Sequence, residues 1–256
     1  MLITIVFLEN FRSWEKAIKK VNYRNKEVIT AGGVVFVVAI ILTNICAAFL
    51  FDDTYVLEPL MLAAAGMGFS GLLDDVYGSN TVKGLKGHFS QLRRGRITTG
   101  TVKAIMGLGI ACFISLKKGG SILEIMINAL IIALSANLLN LMDLRPGRAC
   151  RFFLVSTLIL FGYFLYTKNI SLIFWFMPLV ASVLVFLVYD SREVLMMGDA
   201  GANVLGMSLG IMVVWGSSFY ARISALIFLV GIHLFAEYYS LSKIIEGLTI
   251  IKRKFL

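Results

Sequence analysis

Apolar residues occur along this chain in long runs, and the short segments between them carry most of the charge. A membrane-spanning helix needs about 20 predominantly apolar residues. The first stretch, 1–8, is too short to span and is predicted to be an apolar stub or an interfacial anchor. The pattern predicts an all-α, polytopic membrane protein of about eight transmembrane helices, at 32–51, 56–73, 102–117, 121–142, 152–167, 170–189, 202–218 and 222–239.

The basic residues predict which loops face the cytoplasm. If the segment before residue 32 is cytoplasmic, all but four of the 24 Lys and Arg residues lie on that side, counting Lys103 just inside its span. Cytoplasmic loops of membrane proteins carry an excess of Lys and Arg. The asymmetry predicts a plasma-membrane protein, and it accounts for the net charge of +9 without nucleic acid as a partner.

Composition excludes a soluble globular fold. The chain is 59% hydrophobic and 15% charged, whereas soluble domains are roughly 45–50% apolar and about 25% charged. Residues 9–21 place apolar and basic residues on opposite helical faces, which predicts an interfacial helix with a solvated basic face. No linker or repeat divides the chain, so residues 1–256 are predicted to form a single domain.

Candidate chemistry begins with the aspartates. Five of the seven lie at the predicted cytoplasmic ends of spans or in cytoplasmic loops, namely Asp74, Asp75, Asp143, Asp190 and Asp199. A carboxylate near hydrocarbon is costly without a partner such as a cation, a metal or water. The adjacent Asp74 and Asp75 repel each other unless a cation lies beside them, as Mg²⁺ with a diphosphate would. A solvated helix end is the alternative.

A second polar cluster closes the span at 121–142. Asn137, Asn140 and Asp143 follow at intervals of three, which predicts a shared helical face and a site for a polar ligand. Interhelical hydrogen bonding is the alternative. The turn that follows contains Arg145 and Arg148, and guanidinium groups recognise phosphate bidentately, although topology alone also places arginines there.

The third cluster is glycine-rich and surrounds Asp199. Glycines allow close backbone approach to a phosphate, and a helix N-terminus favours anions, whereas helix packing through Gly206 and Gly210 is the alternative. The loop at 74–101 adds Lys86 and His88, with Lys103 one turn into the next span. Three acidic patches and a basic loop on one membrane face together predict Mg²⁺-dependent phosphate chemistry.

These motifs, in this order, resemble the polyprenyl-phosphate N-acetylhexosamine-1-phosphate transferases. This family includes phospho-N-acetylmuramoyl-pentapeptide transferase and is also classed as glycosyltransferase family 4, in its membrane phosphotransferase sense. The resemblance covers most of the chain. It is carried by residues 22–33, 73–75, 84–88, 98–103, 137–143 and 197–206.

The resemblance implies a reaction and a division of roles. A sugar 1-phosphate of the N-acetylhexosamine type would pass from a UDP-sugar to polyprenyl (undecaprenyl) phosphate in the bilayer, releasing UMP, in cell-envelope glycan synthesis such as that of peptidoglycan. Asp199 and Asp75 would ligate Mg²⁺, and Asp74 with Asp75 would position or deprotonate the lipid phosphate. The implied substrate-binding residues are Lys86, His88, Lys103, Asn137, Asn140, Asp143, Arg145 and Arg148.

Two departures from the family pattern keep other functions open. Residues 143–148 read Asp-Leu-Arg-Pro-Gly-Arg where the family usually has an Asp-Gly and a second Asp-Gly, and the family's histidine-rich last cytoplasmic loop is absent. The alternative is a catalytically silent relative that binds polyprenyl phosphate or scaffolds an envelope-assembly complex. A transporter ranks last, because it would need polar residues near the membrane midplane. The glycine pairs are compatible with a homodimer without establishing one.

Overall fold

A computed structural model describes residues 1–13, 18–50, 55–78, 93 and 98–238. In these ranges the chain forms nine helices and one antiparallel β-hairpin. The hairpin strands are β1, Lys19–Val21, and β2, Glu27–Ile29. The helices are α1 Leu2–Ser13, α2 Val34–Leu50, α3 Leu57–Tyr77, α4 Thr99–Lys118, α5 Ile122–Met142, α6 Arg148–Tyr166, α7 Ile170–Ser191, α8 Gly198–Gly216 and α9 Phe219–Tyr238.

The predicted all-α, polytopic membrane fold is confirmed. Each of the eight predicted spans corresponds to one helix, from α2 to α9. Among the described residues, six of these helices are long and apolar enough to cross a membrane, namely α4 to α9. The apolar part of α2, Val34–Ala47, is shorter, and α3 carries two aspartates in its last turn. The count of eight spans therefore stays a prediction.

The predicted interfacial helix at 9–21 is wrong at its C-terminal end, because Lys19–Val21 forms a strand paired with Glu27–Ile29. The side chain of Asn22 explains the turn between the strands. Its Oδ1 accepts hydrogen bonds from the backbone N–H groups of Arg24, at 2.9 Å, and Lys26, at 3.0 Å. Asparagine favours turns by bonding its own backbone in this way. Residues 14–17 lie outside the described residues.

Helix α8 lies at the centre of the bundle and packs against α3 and α5 over most of its length. Small residues allow the backbones to approach. A Cβ at Gly206 would lie 2.4 Å from the Ser135 backbone oxygen, and one at Gly210 would lie 2.7 Å from the Ile132 Cα. Helix packing within membranes commonly uses such small residues. These two glycines therefore pack inside the chain, against α5.

The hairpin and the loop before α8 join at one end of the bundle, the end predicted to face the cytoplasm. The backbone N–H of Met196 donates to the Ile29 oxygen at 2.8 Å, and Gly33 N–H donates to the Met197 oxygen at 3.0 Å. A Cβ at Gly71 would lie 2.6 Å from the Cα of Ala200, so α3 and α8 touch backbone to backbone. The ends of α3 and α8 are thereby brought together beneath the hairpin.

Candidate active site

Three helix ends place Asp74, Lys103 and Asp199 in one cluster. The Lys103 ammonium donates to Asp74 Oδ2 at 2.9 Å and to Asp199 Oδ2 at 2.8 Å. All three side chains are at most one-quarter exposed. Asp74 lies in the last turn of α3, Lys103 near the start of α4, and Asp199 in the first turn of α8. The structure therefore brings together three residues that the sequence only predicted to share a membrane face.

The start of α4 is defined locally. The Thr98 side chain accepts a hydrogen bond from the Thr101 backbone N–H at 3.1 Å, a standard N-cap. Thr99 and Lys103 are then four residues apart on the helix and face the same way. Thr99 Oγ1 donates to Asp74 Oδ1 at 2.5 Å. The cap thus directs two side chains of α4 toward one carboxylate. Thr99 lies in the 98–103 motif but was not among the predicted site residues.

Asp75 joins α3 to both the hairpin and α8. Its side chain is 2% exposed. Its Oδ1 accepts from the Lys20 ammonium at 3.1 Å, and its Oδ2 accepts from the Ala200 backbone N–H at 3.2 Å. Gly198, with φ +73°, adopts a backbone conformation that disfavours side chains, and a Cβ there would lie 2.5 Å from Asp75 Oδ2. The expectation that Lys20 belongs to a solvated basic face is wrong, since its ammonium pairs with a buried carboxylate.

A cleft of about 270 Å³ opens beside these carboxylates. It contains five of the predicted site residues: Asp75, Asn140, Asp143, Arg145 and Asp199. Other lining residues come from the hairpin, part of which carries the resemblance, and from the loop before α8, and none of them was among the predicted site residues. They include Lys20, Asn22, Tyr23, Thr30, Glu193 and Met196.

Other predicted residues lie elsewhere. Asn137 is exposed and is not part of the described lining of the cleft, although Asn140 and Asp143 are. Six helical residues turn the chain about 600°, so Asn137 and Asp143 diverge by about 120° around the axis. Arg148 donates through Nε to the Met142 backbone oxygen at 2.8 Å, at the C-terminal end of α5. Lys86 and His88 lie outside the described residues.

The cleft concentrates negative charge. Desolvation, together with the nearby carboxylates of Asp190, Asp199 and Asp75, raises the pKa of Asp143 well above its ordinary value. A hydrogen bond from the Gly198 backbone N–H opposes this shift without cancelling it. Burial disfavours any charge, but the three neighbouring carboxylates by themselves favour a cation beside them. Their contribution supports the predicted binding of Mg²⁺ in the cleft.

A second set of contacts holds the rim of the cleft. The buried Asp190 accepts a hydrogen bond from the Gly147 backbone N–H at 2.8 Å, which fixes the turn that carries Arg145. The Arg145 guanidinium lies 4.2 Å from the centre of the Tyr23 ring, and the Tyr23 hydroxyl donates to Glu193 Oε1 at 3.0 Å. Such stacking orients a guanidinium. The resemblance included residues 22–33, but no spacing in the sequence indicated this contact to Glu193.

The oxygen ligands of the site fit Mg²⁺. In the described part of the chain, no group of three or more His, Cys, Asp or Glu residues is arranged to hold a metal alone. Mg²⁺ is commonly bound by one or two carboxylates, with substrate phosphates and water completing its shell. Asp74 and Asp199 both lie within hydrogen-bond distance of one ammonium, so their oxygens are close enough together to contact one ion. Asp74 shares the Lys103 ammonium with Asp199, whereas Asp75 pairs with Lys20 and the Ala200 N–H, so the geometry favours Asp74 over Asp75 as the partner of Asp199.

Comparison with known families agrees with this geometry. A family model described as Glycosyl transferase family 4 matches residues 57–217, more than half of the chain. The chain belongs to this family. The match runs from α3 through α8, so in this glycosyl transferase family 4 member it includes the Asp74, Lys103 and Asp199 cluster, whereas the hairpin lies outside it. The resemblance inferred from the motifs is confirmed at the level of the family, which supports a membrane sugar-phosphate transferase. No curated protein matches the chain significantly.

Proposed function

We propose that this glycosyl transferase family 4 protein transfers a sugar 1-phosphate of the N-acetylhexosamine type from a UDP-sugar to polyprenyl phosphate. An oxygen of the lipid phosphate attacks the phosphorus that bears the sugar. The bond from that phosphorus to the bridging oxygen breaks, and UMP leaves with the bond's electron pair. The observation that carries the proposal is the contact of Asp74, Lys103 and Asp199 beside a cleft of about 270 Å³.

The donor diphosphate is assigned to the part of the cleft beside Asp199 and Asp74. Mg²⁺ held by Asp199 and Asp74 would neutralise phosphate charge. Lys103 contributes a compact positive charge beside the same carboxylates, and Arg145 offers a planar guanidinium already oriented by the Tyr23 ring. Asn140 and Asp143 are assigned to hydrogen bonds with the nucleotide. Phosphoryl transfer depends mainly on this kind of alignment and charge stabilisation.

The acceptor phosphate needs positioning more than deprotonation. The second pKa of a phosphate monoester is about 6, so its oxygens are largely ionised at neutral pH. Asp74 is anchored by Thr99 and Lys103, and Asp75 by Lys20 and the Ala200 N–H. We assign both to the alignment of the metal and the basic groups around the attacking phosphate. Neither needs to act as a general base.

The proposed setting is the cytoplasmic face of the plasma membrane, in synthesis of an envelope glycan. The cleft lies at the end of the bundle where most Lys and Arg residues cluster in the sequence, which favours the cytoplasmic side. A polyprenyl chain is as apolar as the bilayer core, so the lipid phosphate can reach this end of the helices while its tail stays among the lipids.

The test is UMP release by the purified protein in nanodiscs. Undecaprenyl phosphate and a panel of UDP-sugars are supplied, with Mg²⁺ or with EDTA. We expect release that needs both lipid and Mg²⁺, and a fall of roughly 100- to 1,000-fold in Asp199→Asn, as for loss of a key transition-state contact. The matched control is Glu58→Gln, a carboxylate at the opposite end of the bundle that pairs with Lys117.

Two results would contradict the proposal. Unchanged turnover in Asp199→Asn would show that Asp199 is not a metal ligand. No release from any donor, by a protein that still binds undecaprenyl phosphate, would favour the catalytically silent lipid-binding relative.

A further inference from the structure

The Lys103 ammonium bridges the two carboxylates that are assigned to Mg²⁺. It lies 2.9 Å from Asp74 Oδ2 and 2.8 Å from Asp199 Oδ2, and the Lys103 side chain is 16% exposed. Asp74 is anchored on its other oxygen by Thr99 at 2.5 Å. One lysine therefore bridges the two carboxylates and offsets part of their charge.

An ammonium and a divalent cation compete for these oxygens. A hydrogen bond from Nζ uses the same carboxylate lone pairs that a metal would use, and two cations a few ångströms apart repel each other. Lysine has a flexible four-carbon stem, so its ammonium can move while α4 stays in place. When displaced from the carboxylates, the Lys103 ammonium would remain beside the cleft, where the oxygens of an anionic substrate can accept its hydrogen bonds.

We propose that Lys103 is the resident counter-ion of the metal site and must be displaced when Mg²⁺ binds. The metal and the diphosphate donor then bind cooperatively, because the donor supplies phosphate ligands to the metal and a new anionic partner to the displaced ammonium. The inference depends on the proposed function for the identity of the metal and the donor. It adds a reason for the free protein to bind Mg²⁺ weakly.

The first experiment measures metal binding without substrate, with Mn²⁺ as a paramagnetic probe of free and bound ion. Lys103→Gln removes the competing charge, so we expect it to bind Mn²⁺ at least about tenfold more tightly than the wild type. Lys103→Arg keeps the charge and is expected to bind weakly. The matched control is Lys117→Gln, at the opposite end of the same helix, which removes an ion pair with Glu58 and is expected to match the wild type.

A second experiment needs no substitution. Reductive methylation of the wild-type protein, followed by mass spectrometry, reports how accessible each lysine amine is. We expect methylation of Lys103 to rise several-fold when saturating Mg²⁺ is added, with Lys117 as an internal reference. An unchanged or lower rate at Lys103, or Mn²⁺ binding by Lys103→Gln no tighter than the wild type, would overturn the inference.

These readouts do not depend on turnover. If Lys103 responds to metal as expected and no UDP-sugar yields UMP, the counter-ion role stands and the proposed reaction fails. If UMP is released and neither metal readout responds, the reaction stands and the counter-ion role is refuted.

Discussion

The contact between Gly71 of α3 and the first turn of α8 sets the distance between the two acidic ends of the site. A methyl group in Gly71→Ala would lie 2.6 Å from the Ala200 Cα, the Ala200 nitrogen and the Asp199 carbonyl carbon. Carbon atoms in contact prefer about 3.5–4.0 Å. All three atoms belong to the backbone, so the strain is relieved only if α3 and α8 separate by about 1 Å.

Two opposing terms give the expected size of the effect. Overpacking of this kind typically costs about 1–3 kcal/mol, and replacing a helical glycine by alanine returns about 1 kcal/mol. We expect a net loss of up to about 2 kcal/mol in the free energy of unfolding. Asp199 would move away from Asp74 and Lys103, and a misplacement of about 1 Å can slow a reaction about 100-fold.

Gly109→Ala is the matched control for this substitution. Gly109 is also in a helix, α4, but a Cβ there meets nothing within 4 Å. We expect Gly109→Ala to keep or raise the Tm with unchanged UMP release, whereas Gly71→Ala lowers both. Equal Tm and turnover in the two variants would refute the packing explanation. A lower Tm with normal turnover would show that the contact stabilises the fold without setting the site.

Three further predictions concern the carboxylates of the cleft. Asp143→Asn should raise the Tm near about pH 7.5 in EDTA, and the gain should vanish toward about pH 4. The reason is that a carboxyl group whose pKa is raised by folding lowers the stability of the folded state as the pH rises. An equal gain in Tm at both pH values would contradict this pH dependence. Asp190→Ala should lower the Tm by leaving the Gly147 N–H unpaired, at about 1–3 kcal/mol. It should also raise the donor KM, because Arg145 loses its support, and an unchanged KM would argue against that role. Asp75→Asn should weaken the bond from the Ala200 N–H as well as the pair with Lys20, so turnover should fall further than in Lys20→Gln, which removes the pair alone; equal losses would mean that the Asp75 oxygens act only through Lys20.

Much of the candidate site was predictable because its motifs are local. Acidic residues at span ends are rare and costly, so Asp74, Asp75 and Asp199 stand out in any hydropathy profile. Their partners carry weaker signals. Lys20 looked like one basic residue among several, and Thr99 is an ordinary helix-start residue, yet Lys20 contacts Asp75 and Thr99 contacts Asp74. Asn137 shows the opposite failure, since spacing alone placed it on a face that helix geometry does not share with Asp143.

The sequence by itself determined that this chain is a helical membrane protein and which family it resembles. It also determined that most of the charged residues lie at one face of the membrane. Run length and charge placement act segment by segment against the bilayer, so they need no knowledge of how helices pack. Only the tertiary structure decided which cation pairs with which carboxylate. Lys20 and Asp75 are 55 residues apart, and Lys103 and Asp199 are 96 apart. These pairs meet because small residues allow α3 and α8 to approach and a short hairpin folds back over them, and sequence patterns do not encode such distant packing.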